Sequence, residues 1–305
     1  MADPVQQSTA IGIDVGGTKI AAGLVDLADG RVLARRMVPT RAERGGAAVL
    51  DDALLLAEDL LAVGQNRDIV PQSIGVAVCE LVDPQQHVTS AHTVAWHGLP
   101  IRERFAALLP AAVEADVRAH ALAEARYGAG RGVPHYAFVS VGTGISSCLV
   151  IDGRPLAGAR GNALVLASSP LTMRCDICGS VNRPILEEYA AGPALVARYT
   201  RAGGNAERGE QVLAAAAAGD QLASEIVVTA AEALGMAIGW LANVTDPAAI
   251  IIGGGLGTAG GSYWEALVDA VRAHIWADDT RTLPIVMAAL GRDAGIVGAA
   301  CAAPA

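Results

Sequence analysis

The sequence predicts an α/β protein built from two similar units, and three observations lead to this fold class. Short apolar runs typical of buried strands alternate with longer segments whose apolar residues recur at helical spacing. The order of these elements restarts near residue 135, and each half opens with two strands joined by a turn that contains glycine and threonine. The chain has 305 residues, 52% hydrophobic and 17% charged, which is sufficient for two hydrophobic cores.

The first half is predicted to begin with three strands and to continue with alternating helices and strands. The segment "ADGR" is a hairpin signal, because Asp-Gly between apolar runs suits a tight turn. The strands are expected in "AIGIDVG", "TKIAAGLVDL", "VLARRMV", "SIGVAV" and "AAVEADV". The helices are expected in "GGAAVLDDALLLAEDLLAVGQ", "PIRERFAALLP" and "RAHALAEARYGAG".

The second half repeats this opening and adds longer helices. The segment "HYAFVSVGTGISSCLVIDGRPLAG" is expected to form two strands joined through a glycine-rich turn. Helices are expected in "ILEEYAAGPALVARYT", "VLAAAAAGD", "LASEIVVTAAEALGMAIGWLANV" and "SYWEALVDAVRAHI", with a buried strand in "AAIIIGGG". Because clefts between α/β units are common nucleotide sites, we expect a ligand between the two halves.

Charge and composition exclude several classes of function. The net charge of -9 argues against a nucleic-acid partner, since phosphate backbones are bound through clustered Lys and Arg. The N-terminal "MADPVQQSTA" lacks the features of a signal peptide, and "ALGMAIGWLANV" is only about half as long as a membrane span. Five cysteines, an odd number, suit reduced thiols better than a disulfide framework. We therefore expect a cytoplasmic protein without a membrane partner.

The segment "DVGGTK" places a carboxylate, two glycines, a hydroxyl and an ammonium directly after an apolar run. Glycines let backbone N–H groups approach a ligand closely, and this combination suits a polyphosphate and its metal. The alternative is a hairpin with an acidic turn. The turns "VGTGIS" and "IIGGGLGTAGG" are also glycine-rich, but none of the three has P-loop spacing. A dinucleotide site in the third is disfavoured, because too few residues follow it for a Rossmann domain.

Several segments, in their order and spacing, resemble the ROK family (repressors, open reading frames and sugar kinases) of the actin-like ATPase superfamily. They are "GIDVGGTKIAAGLVD", "GVAV", "EADVRAHALAE", "VSVGTGI", "LEEYAAGPAL", "IIIGGGLG" and "GRDAGIVGAA", and they cover nearly the full chain. The resemblance implies a two-lobed actin-like ATPase fold, a duplicated ribonuclease H-like unit with a cleft between the lobes. We expect residues 8–117 and a C-terminal helix at 292–304 in the first lobe, and residues 118–291 in the second.

The resemblance assigns nucleotide-binding and catalytic residues. ATP would be bound by Asp14, Gly16, Gly17, Thr18, Lys19, Gly142, Thr143 and Gly144, with Gly254 and Gly255 against the adenosine. Asp14 would act through Mg²⁺ and water near the terminal phosphates. Asp116, in "VEADVRA", would be the base that takes the proton of the acceptor hydroxyl, although an Asp before a helix can also be an ordinary cap.

The acceptor side departs from the family's pattern. The usual Asn-Asp is Ala115-Asp116, the usual Pro-Gly is Cys79-Glu80, and the usual Glu-Ile-Gly-His is "VLAS" at residues 165–168. The residues that we expect to contact the acceptor are Glu187 (or its neighbour Glu188), Glu80, His92 and Asn162. For Glu80 the alternative is a turn cap, and His120 is interpreted as packed or solvated.

The family's zinc motif is incomplete in this chain. Only Cys175 and Cys178 remain of its cysteines, and the family's zinc-binding His is absent. Since a structural zinc site needs four ligands, bound zinc is doubtful and no metal-binding residue is predicted.

The resemblance implies an ATP-dependent kinase with a remade acceptor pocket. Loss of polar sugar contacts discriminates strongly between substrates, because buried polar groups are expensive to leave unpaired. We expect phosphorylation of a primary hydroxyl on a C7-cyclitol of the valiolone type or an amino sugar of the kanosamine type, as in antibiotic biosynthesis. The alternatives are a glucokinase or N-acylmannosamine kinase, and a ligand-sensing ROK protein without a DNA-binding domain. A homodimer is expected, because dimers are common in the family.

Overall fold

The structure is a computed structural model that describes residues 9–174, 179 and 181–304. These residues form two compact units. The first contains the chain up to residue 132, residues 150–163 and the segment from residue 289 onward, and the second contains residues 133–149 and 164–288. Cys175 and Cys178, on which the zinc expectation depends, lie outside the described residues.

The strands of the described residues are numbered β1 to β12 in chain order. They are β1 (Thr9–Val15), β2 (Lys19–Asp26), β3 (Val32–Pro39), β4 (Ser73–Val78), β5 (Ala111–Ala115), β6 (His135–Val141), β7 (Ile145–Ile151), β8 (Arg154–Pro155), β9 (Met173–Arg174), β10 (Val181–Asn182), β11 (Ala249–Gly253) and β12 (Ile285–Met287).

The α-helices are numbered in the same way. They are α1 (Gly46–Gln65), α2 (Ile101–Ala106), α3 (Asp116–Tyr127), α4 (Leu186–Ala190), α5 (Gly192–Arg201), α6 (Gly209–Ala217), α7 (Gln221–Thr245), α8 (Gly261–His274), α9 (Asp278–Arg281) and α10 (Ala294–Ala302).

The first unit is built on a five-stranded sheet in the order β3-β2-β1-β4-β5. The pairs β1–β2 and β2–β3 are antiparallel, whereas β1–β4 and β4–β5 are parallel. Strand β4 is buried along its whole length, as expected for a central strand covered on both faces. The predicted strands and helices of this half are all present.

Helix α10 packs against β1, β4 and α3 with its backbone very close to theirs. Gly12 and Gly75 make this possible, because a Cβ atom at either position would overlap a backbone carbonyl oxygen of α10. Helix α3 belongs to the same unit as a result. The sequence-based division begins the second lobe at residue 118, whereas in the structure α3 lies in the first unit and packs mainly on α10.

The second unit has a sheet in which β11 is parallel to both β6 and β12, and β7 lies next to β6. Its core is formed by β6, β11 and the apolar face of α7, which packs on α6 and α8. Helix α7 is long and apolar enough to cross a membrane, but half of its most apolar window is buried in the protein. It is therefore explained as a core helix.

The helix predicted over "ILEEYAAGPALVARYT" is interrupted. Ala191 is extended, with φ -76° and ψ 166°, and separates α4 from α5. Pro193 lies in the first turn of α5, where its missing N–H is tolerated, but the same residue would break a continuous helix. The sequence-based expectation of one helix was wrong at this position.

Candidate active site

The carboxyl ends of β1, β4 and β5 lie at one edge of the first sheet. Asp14 is in register with Ala77, and Ala77 is in register with Glu114. The segments that follow these three strands therefore leave the sheet side by side, at the kind of edge where α/β proteins bind ligands. They begin with Gly16, Cys79 and Asp116 respectively.

Asp116 is the first residue of α3, and its Oδ1 accepts the N–H of Val117 at 2.6 Å. Burial raises the pKa of Asp116 to about 6; the imidazole of His120 opposes this shift and the carboxylate of Asp14 adds to it. Burial also raises the pKa of Asp14, against the opposing charges of His120 and Lys19. A carboxylate that titrates near neutral pH is suited to general-base catalysis.

His120 lies at this edge as well. Its Nε2 and the Oδ2 of Asp14 both lie beside Gly295 of α10, where a Cβ atom would be 2.9 Å from Nε2 and would overlap Oδ2. From the sequence, His120 is expected to be packed or solvated. The sequence signal for its place at this edge was its position four residues after Asp116, because residues i and i+4 share a helix face.

The turn between β1 and β2 has a fixed backbone and exposed side chains. Gly16 N donates to Lys19 O at 3.0 Å, and the Thr40 hydroxyl donates to Gly16 O at 2.6 Å. Gly17, Thr18 and Lys19 are exposed. Thr40, fully buried after β3, was missed by sequence reasoning because nothing in its local sequence points to the turn. The turn thus presents a hydroxyl and an ammonium on a rigid backbone, as a phosphate site requires.

Glu80 was predicted to contact the acceptor, with a turn cap as the alternative, and in the structure its side chain makes the hydrogen bonds of a turn cap. Its side chain is buried and accepts hydrogen bonds from the Ser90 hydroxyl and from three backbone N–H groups. Although burial opposes it, these donors hold the pKa of Glu80 below its ordinary value. Both carboxylate oxygens are thereby occupied within the protein.

The Cys79 thiol beside Glu80 has low reactivity. Burial, together with the carboxylates of Asp116 and Glu80, raises its pKa to about 12. A thiol of this kind stays protonated at neutral pH and is a poor nucleophile.

Two further predicted acceptor residues, His92 and Asn162, have exposed side chains in the first unit. The loop before Asn162 is fixed by the buried Arg118, which donates to the carbonyl oxygens of Gly161 (2.9 Å) and Val82 (2.8 Å) and pairs with Glu114. Arg118 lies two residues after Asp116 on α3. One helix therefore carries both the predicted base and the residue that fixes the Asn162 loop.

In the second unit the predicted nucleotide-binding glycines come together. Gly142 N donates to Gly144 O at 2.9 Å, and Gly192 N donates to Gly142 O at 2.8 Å. Leu256 N donates to Val141 O at 3.0 Å, which brings the turn after β11 against the turn after β6. Gly254 has φ +82°, a conformation that strongly favours glycine. The turns that carry residues 142–144 and 254–255 are thus neighbours.

Glu187 and Glu188 have different roles. Glu187 is half-buried on α4, and its Oε2 accepts the N–H of Ile145 at 2.7 Å, directly after the turn that ends in Gly144. Glu188 is exposed, and its Oε2 accepts the N–H of Ile185, as in a helix capping box. Of the two alternatives, only Glu187 lies at the predicted nucleotide turn.

Among the described residues, candidate metal ligands are few. The described part of the chain contains no group of three or more His, Cys, Asp or Glu side chains that could hold a metal ion. The carboxylate of Asp14 and the hydroxyl of Thr18 are nevertheless oxygen donors of the kind that Mg²⁺ prefers. Since Mg²⁺ is usually held by substrate phosphates with only one or two carboxylates, these residues fit a nucleotide-bound ion.

Known proteins that are similar to this chain in sequence and in structure include sugar kinases. The chain is 32% identical to a glucokinase of Streptomyces coelicolor over 95% of this chain and 96% of the relative. It is 30% identical to an N-acetylmannosamine kinase of Citrobacter koseri, over 96% of this chain and 97% of the relative. A ROK family glucokinase from Streptomyces griseus, solved with glucose and AMPPNP, matches with a TM-score of 0.80 and 28% identity, covering 96% of this chain and 98% of that one.

The two α/β units and their glycine-rich turns define an actin-like ATPase fold, in which carboxylates stand at the ends of parallel strands. The pattern of the ROK family matches residues 10–305, and the chain belongs to that family. It is an ATP-dependent sugar kinase of the ROK type.

Proposed function

We propose that this kinase phosphorylates a primary hydroxyl of a C7-cyclitol of the valiolone type or an amino sugar of the kanosamine type. The observation that carries the proposal is Asp116, a carboxylate with a raised pKa at the end of β5, in a chain whose usual sugar contacts are replaced. Phosphoryl transfer needs an acceptor oxygen held in line and a base for its proton, and little further covalent help.

In the proposed mechanism Asp116 accepts the proton of the acceptor hydroxyl as its oxygen attacks the γ-phosphorus of ATP. The bond between the γ-phosphorus and the β,γ-bridging oxygen breaks as the new bond forms, and ADP is the leaving group. The backbone of residues 16–18 and the Lys19 ammonium bind the terminal phosphates, and the turns at residues 142–144 and 254–255 bind the rest of the nucleotide. Asp14 and Thr18 would hold Mg²⁺, which supplies positive charge that neutralises the phosphate oxygens. Glu187 and the loops with His92 and Asn162 orient the acceptor.

The replaced segment at residues 165–168 supports a different acceptor. Leu166 is buried, and the Ser168 hydroxyl donates to the carbonyl oxygen of Val165 at 2.9 Å, within the same short 3-10 turn. Ser168 therefore uses its hydrogen-bonding capacity locally, where family members are expected to present a Glu and a His to the sugar. A substrate with fewer or different polar groups at this side would be favoured.

The alternative acceptor is an unmodified hexose or N-acylmannosamine. The relatives named as a glucokinase and an N-acetylmannosamine kinase support it, since each matches nearly the whole chain. The two proposals differ only in the acceptor, because the nucleotide-binding residues are common to both.

An ATP-consumption assay with Mg²⁺ tests the proposal, with glucose, N-acetylmannosamine, kanosamine and valiolone as acceptors and mass spectrometry of the products. We expect a kcat/KM for kanosamine or valiolone at least about 100-fold above that for glucose, since a mismatch of buried polar groups has effects of this size or larger. Efficient turnover of glucose alone would contradict the proposed acceptor and support the alternative.

We also propose that the enzyme is a cytoplasmic homodimer. Light scattering coupled to gel filtration tests the oligomeric state: a mass near twice 30.9 kDa supports the dimer, and a mass near 30.9 kDa contradicts it.

A further inference from the structure

A single carboxylate, Glu80, holds the loop of residues 90–94. Its Oε1 accepts the N–H groups of Thr93 (2.6 Å) and Val94 (2.8 Å). Its Oε2 accepts the N–H of His92 (2.9 Å) and the hydroxyl of Ser90. Three consecutive backbone N–H groups therefore converge on one buried anion, in the arrangement by which backbone N–H groups elsewhere in proteins bind external anions.

The far side of this loop is anchored independently of Glu80. Val94 and Trp96 are buried, and the Trp96 indole N–H donates to the carbonyl oxygen of Gly46 at 2.8 Å. Residues 91–93 are exposed. The loop thus has a fixed C-terminal end and an exposed tip, and the shape of the tip depends on the carboxylate beneath it.

The tip lies against the predicted phosphate turn. A Cβ atom at Gly17 would be 2.6 Å from the Cγ2 methyl of Thr93. Thr93 is therefore in contact with Gly17, and the same loop carries His92, a proposed acceptor contact.

We propose that Glu80 is a positioning residue for the acceptor side of the reaction: as an internal anion it sets the loop of residues 90–94, and with it His92 and Thr93, beside the phosphate turn. Without the carboxylate, three N–H groups would be left without their acceptor, which is unfavourable enough to reorder an exposed loop. Direct contact of Glu80 with substrate is a poorer explanation, because a substrate hydroxyl would have to displace one of four existing donors. The inference rests on the proposed placement of the acceptor near His92.

The test compares Glu80→Gln with two controls. Glu80→Gln keeps the shape of the side chain but replaces one acceptor oxygen by an NH₂ group that cannot accept the N–H bonds. Ser90→Ala removes only the hydroxyl donor, and Glu103→Gln makes the same chemical change at an exposed site on α2. The readouts are acceptor KM and kcat, AMPPNP affinity, and amide hydrogen exchange of residues 91–94.

We expect Glu80→Gln to raise the acceptor KM about tenfold or more, the effect of losing roughly 1.4 kcal/mol of binding, with AMPPNP affinity changed less than about threefold. Exchange of the His92, Thr93 and Val94 amides should accelerate, while the amides of β4 stay protected. Ser90→Ala should change KM and exchange in the same direction by a smaller factor, and Glu103→Gln should change neither.

Two results would overturn the proposal. One is a raised acceptor KM in Glu80→Gln with unchanged amide hydrogen exchange at residues 91–94, which would indicate that Glu80 contacts the substrate directly. The other is unchanged KM and exchange in Glu80→Gln. If Glu80→Gln does not fold, Ser90→Ala decides between the same outcomes. Should the native enzyme phosphorylate no acceptor in the panel, the proposed acceptor class fails, whereas hydrogen exchange still tests whether Glu80 holds the loop.

Discussion

At the scale of single residues, the burial of Asp116 bears both on its proposed role as the base and on the stability of the protein. Its position at the end of β5 brings it close to the carboxylate of Asp14, and burial there favours the protonated form of both. A base with a pKa of about 6 is largely ionised at neutral pH, yet basic enough to take a proton as the transition state develops.

Replacing Asp116 by Asn should abolish most of the turnover. Because the amide cannot accept the hydroxyl proton, we expect Asp116→Asn to lower kcat by about 10²–10⁴-fold while AMPPNP affinity changes little. Steady-state kinetics and calorimetric titration with AMPPNP measure the two effects. Asp278→Asn, the same change at an exposed position of α9, is the matched control. Turnover close to that of the native enzyme would exclude Asp116 as the base.

The pH profile should report the same group. Below the pKa of about 6 the carboxylate of Asp116 is protonated and cannot act as a base. Hence kcat/KM for the acceptor should fall about tenfold per pH unit below this pKa and level off above it. The measurement is kcat/KM from pH 4.5 to pH 8 at saturating MgATP, with intact folding checked by circular dichroism at each pH. A flat profile across pH 6 in folded enzyme would contradict the assignment.

Asp116 should also reduce stability at neutral pH. Burial raises the pKa of the Asp116 carboxyl above the ordinary 3.8. Protonation of this carboxyl therefore stabilises the folded state: the contribution is fully present below pH 3.8 and is lost as the pH rises through about 6. Asp116→Asn removes the buried charge, so at pH 8 its Tm should be about 2 °C or more above that of the native enzyme. The difference should shrink at pH 5. Thermal unfolding of both proteins at the two pH values measures it, and a larger Tm advantage at pH 5 would contradict the sign.

The position of a candidate residue was predictable from the sequence where a recognisable strand and helix meet. The "VEADVRA" segment placed Asp116 at a strand end because a buried strand and a helix meet there. The role of Glu80 was left open, since its donors lie 10 to 14 residues further along the chain, in a loop without periodic pattern. Arg118 and Thr40 were missed for the same reason: their partners are backbone carbonyl oxygens in distant loops.

At the scale of elements, apolar periodicity predicted the strands and long helices, because burial on one or two faces determines both. The break at Ala191 was missed because "LEEYAAGPAL" has apolar residues at helical spacing on both sides of it. In the structure the break lets Gly192 N bond Gly142 O, which joins α5 to the turn after β6. This contact and the helix-breaking Pro193 both favour the break over a continuous helix.

The turn after β11 gives a prediction at this scale. Gly254 has φ +82°, and a Cβ atom there would be 2.6 Å from the Val141 amide nitrogen. Gly254→Ala should therefore displace the turn from residues 142–144, weaken AMPPNP binding by about tenfold or more and destabilise the protein by roughly 1–3 kcal/mol. Calorimetric titration and denaturant unfolding measure the two effects.

Gly260 provides the matched control for Gly254. It lies in the same connection and has φ +73°, but no atom lies within 4 Å of its Cβ position. Gly260 has φ +73° and ψ -158°, a backbone conformation that is essentially restricted to glycine, so Gly260→Ala should carry backbone strain without the clash and leave AMPPNP affinity within about threefold. Equal loss of affinity in both variants would show that the approach to Val141 is unimportant.

At the scale of the whole molecule, the chain returns to the first unit twice, at residues 150–163 and finally at residue 289. Glu124 near the end of α3 fixes the return: its buried carboxylate accepts the N–H groups of Ala289 and Leu290. Helix α10 then packs on β1, β4 and α3, the elements that carry or flank Asp14 and Asp116. The C-terminal helix is thus part of the scaffold that sets the two carboxylates.

This scaffold can be tested at Gly75, in the middle of β4. A Cβ atom there would overlap the carbonyl oxygen of Ala299 and lie 2.5 Å from its carbonyl carbon, so no side-chain rotation can relieve the contact. Gly75→Ala must push α10 away from the sheet, and we expect a loss of about 1–3 kcal/mol of unfolding free energy. Since β4 lies between β1 and β5, kcat should fall as well, although no residue in contact with substrate is changed.

The control for Gly75→Ala is Gly98→Ala, at an exposed turn with φ +78° and no atom within 4 Å of the Cβ position. It introduces backbone strain without any contact to α10, so it measures how much destabilisation alone affects turnover. If Gly98→Ala lowers the unfolding free energy equally but leaves kcat unchanged, the loss of kcat in Gly75→Ala is due to displaced carboxylates. An unchanged kcat in a destabilised Gly75→Ala would show that α10 supports the stability of the first unit but not the geometry of Asp14 and Asp116.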